Sequence, residues 1–359
     1  MAKSFFKSLF RKSPPKPTPH FTRPQRQAWQ NPGAALALDT VVTEQMLTDA
    51  MVRTALTVKQ LAIVAVPWEV VPADSSPHAK QRAEFVKDCF TRMTGSPLTI
   101  LTSAMDAFAS GWAIQEQIYG LESGRIILRE VRAKDPRTFG QDFDEYGHLQ
   151  RLSQHVPGEP PRSLDPKRFI ITRHRPSPTS PQGQSDLLPA LPHWQAKRQL
   201  MAAWKLHLEK FAMPTVLGKF ERGLPPDEQA AILTALQDVQ NNTAIVYPDE
   251  ITIDTLGGNK EPSQGFMDAI EFHNREIARA ILGQTLTTDE GRRVGSLALG
   301  KVHLQVLLMQ VSALRRELAD QVMTEQVIRP LVEMNFGPGR IPSFQFEEPK
   351  LEAFTTGNI

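Results

Sequence analysis

Cysteine is nearly absent from this chain of 359 residues, which contains only Cys89. A single cysteine excludes an internal disulfide and is typical of a protein from a reducing compartment. Cys89 lies in an amphipathic helical pattern at 80–93, so we expect a small buried apolar residue and not a reactive thiol. Long apolar runs are absent too, because none approaches the roughly 20 residues that a membrane-spanning helix requires.

Acidic residues are missing from the first 38 positions, which carry seven lysines and arginines. Removing these seven from the 41 basic residues leaves 34 against 39 acidic ones, a net charge of −5 for the rest of the chain. A protein that binds DNA statically usually concentrates positive charge on its folded surface, and this body does not. Prolines at 14–19 favour an extended chain, so residues 1–26 are predicted to be a flexible basic arm.

Helical and strand patterns alternate through the first half of the chain. Gly124 is predicted to form the turn of a β-hairpin. The predicted helices cover 43–66, 77–93 and 98–111, and the predicted strands cover 67–71, 112–119, 126–131, 135–143, 148–156 and 169–172. This half is therefore predicted to be a mixed α+β unit.

The second half is predicted to be mainly helical. One helix begins at Leu191 and ends before Pro214, a second covers 266–283, and a third runs from Leu297 to Asn335. Between the first two, a small unit is predicted as strand 215–219, helix 225–239 and strands 243–247 and 251–256. Residues 284–295 contain two glycines, three threonines and two arginines, which is typical of a mobile polar loop.

Four stretches, in this order along the chain, resemble the portal proteins of Mu-like phages. They are PWEV at 67–70, GWAIQE at 111–116, FAMPTVLGK at 211–219 and ILGQTLTT at 281–288. The resemblance spans roughly residues 35–340. In that family the subunits form a ring at one capsid vertex, and DNA passes through its central channel.

The resemblance implies an α+β, elongated portal-type subunit with an α/β wing, a two-helix stem, a small α/β clip and a long wing helix. Its crown would be short or absent. The implied segments are the arm 1–26, the wing 27–190, stem helices 191–213 and 263–283, the clip 214–262, the tunnel loop 284–296, the long wing helix 297–340 and a tail 341–359 that is a crown remnant or truncated.

The resemblance also implies roles for individual residues. Those expected to face DNA in the channel are Gln284, Thr285, Thr287, Thr288, Arg292 and Arg293. Gly291 and Gly295 would be hinges of the loop. Trp204, Ile270 and Ile277 would pack the stem or the contact between subunits. Arg292 and Arg293 have a second interpretation, as solvent-exposed arginines of a flexible loop without contact to phosphate.

Patterns for catalysis or metal binding are weak. No P-loop is present, and the acidic pairs Asp142/Asp144 and Asp289/Glu290 are expected to lie in solvated loops. The histidines at 148, 155 and 174 are expected at the surface, and those at 193, 207, 273 and 303 fall on helices without an i,i+4 partner. We therefore predict no catalytic residue, no metal site and no cofactor.

The predicted function is that of a portal protein through which double-stranded DNA is packaged and ejected. The expected partners are further copies in a ring, with twelve as the expected number; double-stranded DNA, without sequence preference; terminase; the major capsid protein; and tail or head-completion adaptors. The expected location is the portal vertex of the virion, with the host cytoplasm during assembly.

An alternative function is a peripheral membrane- or nucleic-acid-binding adaptor that acts through the arm. Phe5, Phe6, Leu9 and Phe10 can share one helical face with lysines opposite, as in an interfacial helix. Contact with capsid or packaged DNA is a further possibility, and we expect the arm to be disordered until assembly. A third possible function, that of a hydrolase, is disfavoured because the sequence contains no recognisable catalytic site.

Overall fold

The structure is a computed structural model that describes residues 40–144, 146–212, 215–219, 225–241, 252–256, 262–284 and 297–347. These residues form two compact units, one from residues up to 190 and from 278 onward, and the other from 191–277. The predicted arm 1–26 and the predicted strand 243–247 lie outside the described residues. Among the described helices, none combines the length and the apolar character needed to cross a bilayer.

The first unit begins with short helices. The predicted helix at 43–66 is two helices, because Asp49 caps the second by accepting hydrogen bonds from the amides of Met51 and Val52. The predicted helix at 98–111 is likewise divided near Met105. The five helices are α1 (Thr40–Leu47), α2 (Ala50–Val64), α3 (Pro77–Arg92), α4 (Pro97–Ala104) and α5 (Ala107–Ser110).

The first seven strands described in this unit are β1 (Trp68–Val71), β2 (Trp112–Glu122), β3 (Arg125–Lys134), β4 (Phe139–Phe143), β5 (Leu149–Gln154), β6 (Arg162–Leu164) and β7 (Phe169–Arg173). Six of them form two antiparallel sheets, in the orders β3-β2-β7 and β4-β5-β6. Residues Ser123 and Gly124 connect β2 to β3, which confirms the predicted hairpin. Ile114, Phe139 and Leu152 pack into one buried apolar cluster across the two sheets.

The second unit, 191–277, contains most of the remaining described elements. Strands β8 and β9 pair in antiparallel register, from Thr215↔Leu256 to Lys219↔Thr252. The elements are α6 (Leu191–Ala212), β8 (Thr215–Lys219), α7 (Pro226–Asn241), β9 (Thr252–Leu256) and α8 (Pro262–Leu282), the last of which ends in the first unit.

A long helical segment completes the first unit. It consists of α9 (Leu297–Glu317), a π-helical stretch (Leu318–Ile328) and α10 (Arg329–Phe336). The sequence predicts one continuous helix here, and the π-helical stretch is not anticipated. The final strand, β10 (Ser343–Phe346), pairs with β1 in antiparallel register and was also not predicted. The mixture of helices and sheets confirms the predicted α+β class.

Polar side chains of this helical segment close the outer edges of three strands. Gln326 accepts from the amide of Ile171 (2.7 Å) and donates to its carbonyl (3.1 Å), at the free edge of β7. At the free edge of β3, Asn335 likewise accepts from the amide of Ile126 and donates to its carbonyl. The hydroxyl of Thr324 accepts from the amide of Phe344 in β10. Open strand edges invite pairing with other chains, and each of these bonds satisfies the backbone of one edge residue.

Candidate functional site

Helices α6 and α8 contact each other within the second unit. His193 meets His273 with 3.1 Å between the two Nδ1 atoms, and His207 lies 5.7 Å from Phe266 between ring centres. The two helices run antiparallel, because His207 comes after His193 in α6 but contacts Phe266, which comes before His273 in α8. With 22 and 21 residues, the helices are each about 32 Å long.

Large apolar side chains are exposed on both of these helices. On α6 they are Met201 (51% exposed), Leu206 (65%) and Leu208 (44%), and on α8 they are Met267 (37%) and Phe272 (48%). Single exposed apolar residues are ordinary, but five on two paired helices are typical of a surface that contacts another protein. The sequence pattern predicts both helices but not the exposure of these five side chains.

The residues predicted to pack the stem differ in their surroundings. Ile277 is fully buried in the single chain, whereas Trp204 and Ile270 are half-buried. The indole nitrogen of Trp204 has no hydrogen-bond partner among the described residues. Trp194 is buried, and the guanidinium of Arg198 stacks 4.7 Å from the centre of its ring. A role of Trp204, Ile270 and Ile277 between subunits stays a prediction.

Of the residues predicted to face DNA, the structure describes only Gln284, whose side chain is buried. It follows Gly283, which ends α8 with a φ of 72° that favours glycine. A Cβ atom at Gly283 would lie 2.7 Å from the side-chain amide of Gln310. The other predicted loop residues, Thr285, Thr287, Thr288, Gly291, Arg292, Arg293 and Gly295, lie outside the described residues, and their roles stay predictions.

The expectation that His174 lies at the surface is wrong. His174 is only 4% exposed, and its ring packs edge-on against Phe108 with 4.8 Å between ring centres. The backbone amide of His174 donates to the carbonyl of Gly111, and its carbonyl accepts from the amide of Gln184. These two bonds hold the segment in the interior of the unit. Gly183 permits this crossing, because a Cβ atom there would lie 2.1 Å from the carbonyl oxygen of Gly111. The surface positions expected for His148 and His155 are confirmed.

His174 belongs to a buried polar cluster around Asp186. The carboxylate of Asp186 meets the ammonium of Lys59 at 2.5 Å, the imidazole of His174 at 2.9 Å and the guanidinium of Arg175 at 3.4 Å. Burial alone would raise the pKa of Asp186, but the hydrogen bond from His174 and the charge of Lys59 outweigh it and lower that pKa. Burial is also the main cause that lowers the pKa of Lys59.

The Asp186 cluster ties α2 to the segment after β7. A cavity of about 80 Å³ beside it is lined by His174, Thr172 and Arg173 from β7 and its end, and by Gln321 of the π-helical stretch. This volume holds a few water molecules at most. The paired charges of the Asp186 cluster connect two segments of the first unit.

Cys89 is buried, which confirms its expected position, and burial raises the pKa of its thiol. On α8, burial and the neighbouring His193 lower the pKa of His273, and Glu276 opposes them. In the parts of the chain that the structure describes, no three histidine, cysteine or acidic side chains converge as a metal site.

The chain is similar to proteins of phage Mu and of a Mu-like prophage over most of its length. The family model for the portal protein of Mu bacteriophage matches residues 41–356. The chain is 26% identical over 299 residues to the portal protein of Escherichia phage Mu, a match that covers 81% of this chain and 57% of the relative. It is 26% identical over 322 residues to the Mu-like prophage FluMu protein gp29 of Haemophilus influenzae, covering 86% and 60%. The chain thus spans about three fifths of the length of these relatives.

Solved structures with a similar fold come from gene transfer agent (GTA) particles. A chain from the neck of a native GTA particle, computed with C12 symmetry, superposes with a TM-score of 0.62 at 13% identity, covering 88% of this chain and 86% of that one. A chain from the neck of an empty GTA particle, computed with C6 symmetry, gives 0.61 at 14% identity with the same coverage. Similarity at these identities establishes the fold alone.

Proposed function

Because this chain belongs to the family of Mu bacteriophage portal proteins, we propose that it is a structural, non-catalytic subunit of a portal ring. The observation that carries the proposal is the family match across residues 41–356. The ring would lie at one vertex of a phage capsid, and double-stranded DNA would pass through it during packaging and ejection. The adaptor alternative finds no support in the comparisons.

Two further observations support a ring. The related GTA neck structures were computed with C12 and C6 symmetry, which is the arrangement of a ring of equal subunits. In this chain, Leu206 and Phe272 are large apolar side chains exposed on α6 and α8. A neighbouring copy that covers them would remove apolar surface from water, which is the main driving force of association.

The DNA contact is proposed for the segment 284–296. Arg292 and Arg293 would give each subunit two sequence-independent phosphate contacts. The rest of the chain after the basic arm is net negative, so the lining would not hold DNA tightly and the duplex could move. Gly291 and Gly295 would allow the loop to follow the duplex, because glycine adopts backbone conformations closed to other residues.

The remaining partners follow from the place of a portal in the particle. Terminase would dock during packaging, tail or head-completion adaptors would dock afterwards, and the major capsid protein would surround the ring. Assembly would take place in the host cytoplasm before the ring becomes part of the virion. The arm 1–26 would contact capsid or packaged DNA and gain order there.

The ring is tested by electron microscopy and light scattering on the purified full chain. We expect closed rings, with twelve copies as the specific expectation. A monomer at all concentrations and salt conditions would contradict the ring and favour the adaptor.

The DNA contact is tested with the double variant Arg292→Ala/Arg293→Ala in a packaging assay. Exposed loop substitutions change stability by less than about 0.5 kcal/mol, so rings should form as in the wild type. Packaging or retention of DNA should fall, because the ring multiplies the loss of phosphate contacts. Replacing the exposed Lys80 and Lys167 of the first unit with alanine serves as the control for net charge. Normal packaging by intact double-variant rings would end the proposed channel role of 284–296.

A further inference from the structure

The pair His193 and His273 joins α6 and α8 through their imidazole rings. Their Nδ1 atoms are 3.1 Å apart, although the two residues are separated by 80 positions in the sequence. Phe272 packs edge-on against His193, with 6.2 Å between ring centres, and flanks the pair on one side. Two ring nitrogens, each of which carries a lone pair or a proton depending on the tautomer, thus approach each other from two helices that each span more than twenty residues.

This separation is close to what one metal ion requires of two ligands. Zinc binds histidine nitrogen at 2.0–2.1 Å in tetrahedral geometry, so two such nitrogens lie roughly 3.3–3.4 Å apart. A small rotation of either ring would bring the Nδ1 atoms from 3.1 Å to that separation. The donors also have the right chemistry, because neutral imidazole suits zinc, copper and nickel, whereas magnesium and calcium prefer oxygen ligands.

We propose that His193 and His273 bind a divalent transition metal ion, with Zn²⁺ as the first candidate, and that the ion links α6 to α8. The pair would supply two ligands per subunit. In the described part of the chain no third histidine, cysteine or acidic side chain completes a set, so water would occupy the other positions. A site with two protein ligands binds more weakly than a closed structural zinc site. The proposed metal site depends neither on ring formation nor on the proposed portal function.

The simpler alternative is a hydrogen bond in which one imidazole N–H donates to the other ring. It accounts for the 3.1 Å distance without any metal. The two interpretations differ in what each predicts. A metal site gives zinc-dependent stabilisation that needs both rings, whereas a hydrogen bond gives none. The chain offers a matched control in His207, which also lies on α6 but packs against Phe266 instead of another imidazole.

The test uses the full chain without a histidine tag, titrated with Zn²⁺ and followed by calorimetry and thermal unfolding. We expect binding of one ion per subunit and a zinc-dependent rise in Tm, since a ligand that binds only the folded state stabilises it. His193→Gln and His273→Gln should each weaken zinc binding by about tenfold or more, because even loss of an outer-shell partner costs 10–100-fold. His207→Gln should bind zinc as the wild type does.

Two further measurements keep the test decisive if a glutamine variant folds poorly. His193→Cys should retain zinc binding, because a thiolate is also a zinc ligand. Cu²⁺ bound to the wild type should show splitting from two nitrogens by electron paramagnetic resonance, and from one in His273→Gln. The proposal is overturned if the wild type binds no zinc, if both glutamine variants bind it unchanged, or if Cu²⁺ shows no paired nitrogen ligands.

Discussion

The two units of this chain differ in how the groups described above are satisfied. In the first unit, Gln326 and Asn335 close the free edges of a sheet, and a buried cluster pairs the charge of Asp186. In the second unit, Leu206 and Phe272 remain exposed on paired helices. The polar groups at these strand positions and the charge of Asp186 are thus satisfied within one chain, whereas the apolar side chains exposed on α6 and α8 are expected to be buried against another copy.

The distribution of buried apolar residues supports the same contrast. Among the described side chains, Trp194 and Ile277 are the only buried apolar ones within 191–277. Helices gain most of their stability from packing an apolar face and not from intrinsic propensity. Burial of their exposed apolar side chains against another copy should therefore stabilise α6 and α8 further.

The largest expected effect is that of Asp186→Asn, which would leave the ammonium of Lys59 buried without its countercharge. Breaking one partner of a buried ion pair costs about 3–5 kcal/mol. Denaturant unfolding of the monomeric chain measures this loss. Asp142→Asn is the control, because Asp142 pairs with Arg151 at the surface, where a pair contributes about 1 kcal/mol or less. Equal losses in both variants would show that the Asp186 cluster does not stabilise the unit.

The next effect concerns assembly. Leu206→Ser combined with Phe272→Ser should abolish rings while leaving a folded monomer, since burial of each large apolar side chain contributes about 1.5–3 kcal/mol at a contact. Light scattering measures assembly, and circular dichroism measures folding. Leu121→Ser is the control, because Leu121 is 71% exposed in the β2–β3 hairpin of the first unit. Intact rings in the double variant would place the subunit contact elsewhere.

A smaller effect is expected for Gln326→Ala, which leaves the amide and carbonyl of Ile171 without their side-chain partner. Unsatisfied groups cost about 1–3 kcal/mol when they are buried, and partial access to water reduces this. The control is Gln345→Ala, since the exposed amide of Gln345 donates to Ser343. Chemical denaturation compares the two variants. No difference between them would mean that water replaces Gln326 at the strand edge without cost.

The smallest effect is the pH dependence of the Asp186 contribution. The folded state lowers the pKa of Asp186, so its stabilising effect is fully present above the unfolded value of about 3.9 and is lost as pH falls through the folded pKa. The stability difference between wild type and Asp186→Asn should therefore be constant near neutral pH and shrink in acid. A difference that stays constant from pH 7 down to acid unfolding would contradict the lowered pKa.

Local patterns were sufficient to predict many elements. Apolar periodicity predicted α6 and α8 to within a few residues, and the strand predicted at 215–219 coincides with β8. Proline and glycine marked several boundaries, such as the hairpin at Gly124. The α+β class followed from the order of these local signals, since each depends on neighbours only a few positions away.

Long-range pairs could not be predicted, because they leave no local pattern. Lys59 meets Asp186 across 127 positions, and His193 meets His273 across 80. His174 was placed at the surface for this reason, since its partner Asp186 is specified only by the fold. The pairing of β10 with β1 has the same origin, because a segment of only four residues becomes a strand beside its partner.

The edge closure by Gln326 and Asn335 has a consequence for biosynthesis. Gln326 is made 155 positions after Ile171, and Asn335 is made 209 positions after Ile126. At 5–20 residues per second, a ribosome needs about 8–31 s to make the 155 residues. During that interval the nascent sheet has unpaired edges while other copies are being translated nearby. Chaperone protection should therefore matter most in that interval, and slowing translation after codon 173 should increase aggregation more than slowing it before codon 100.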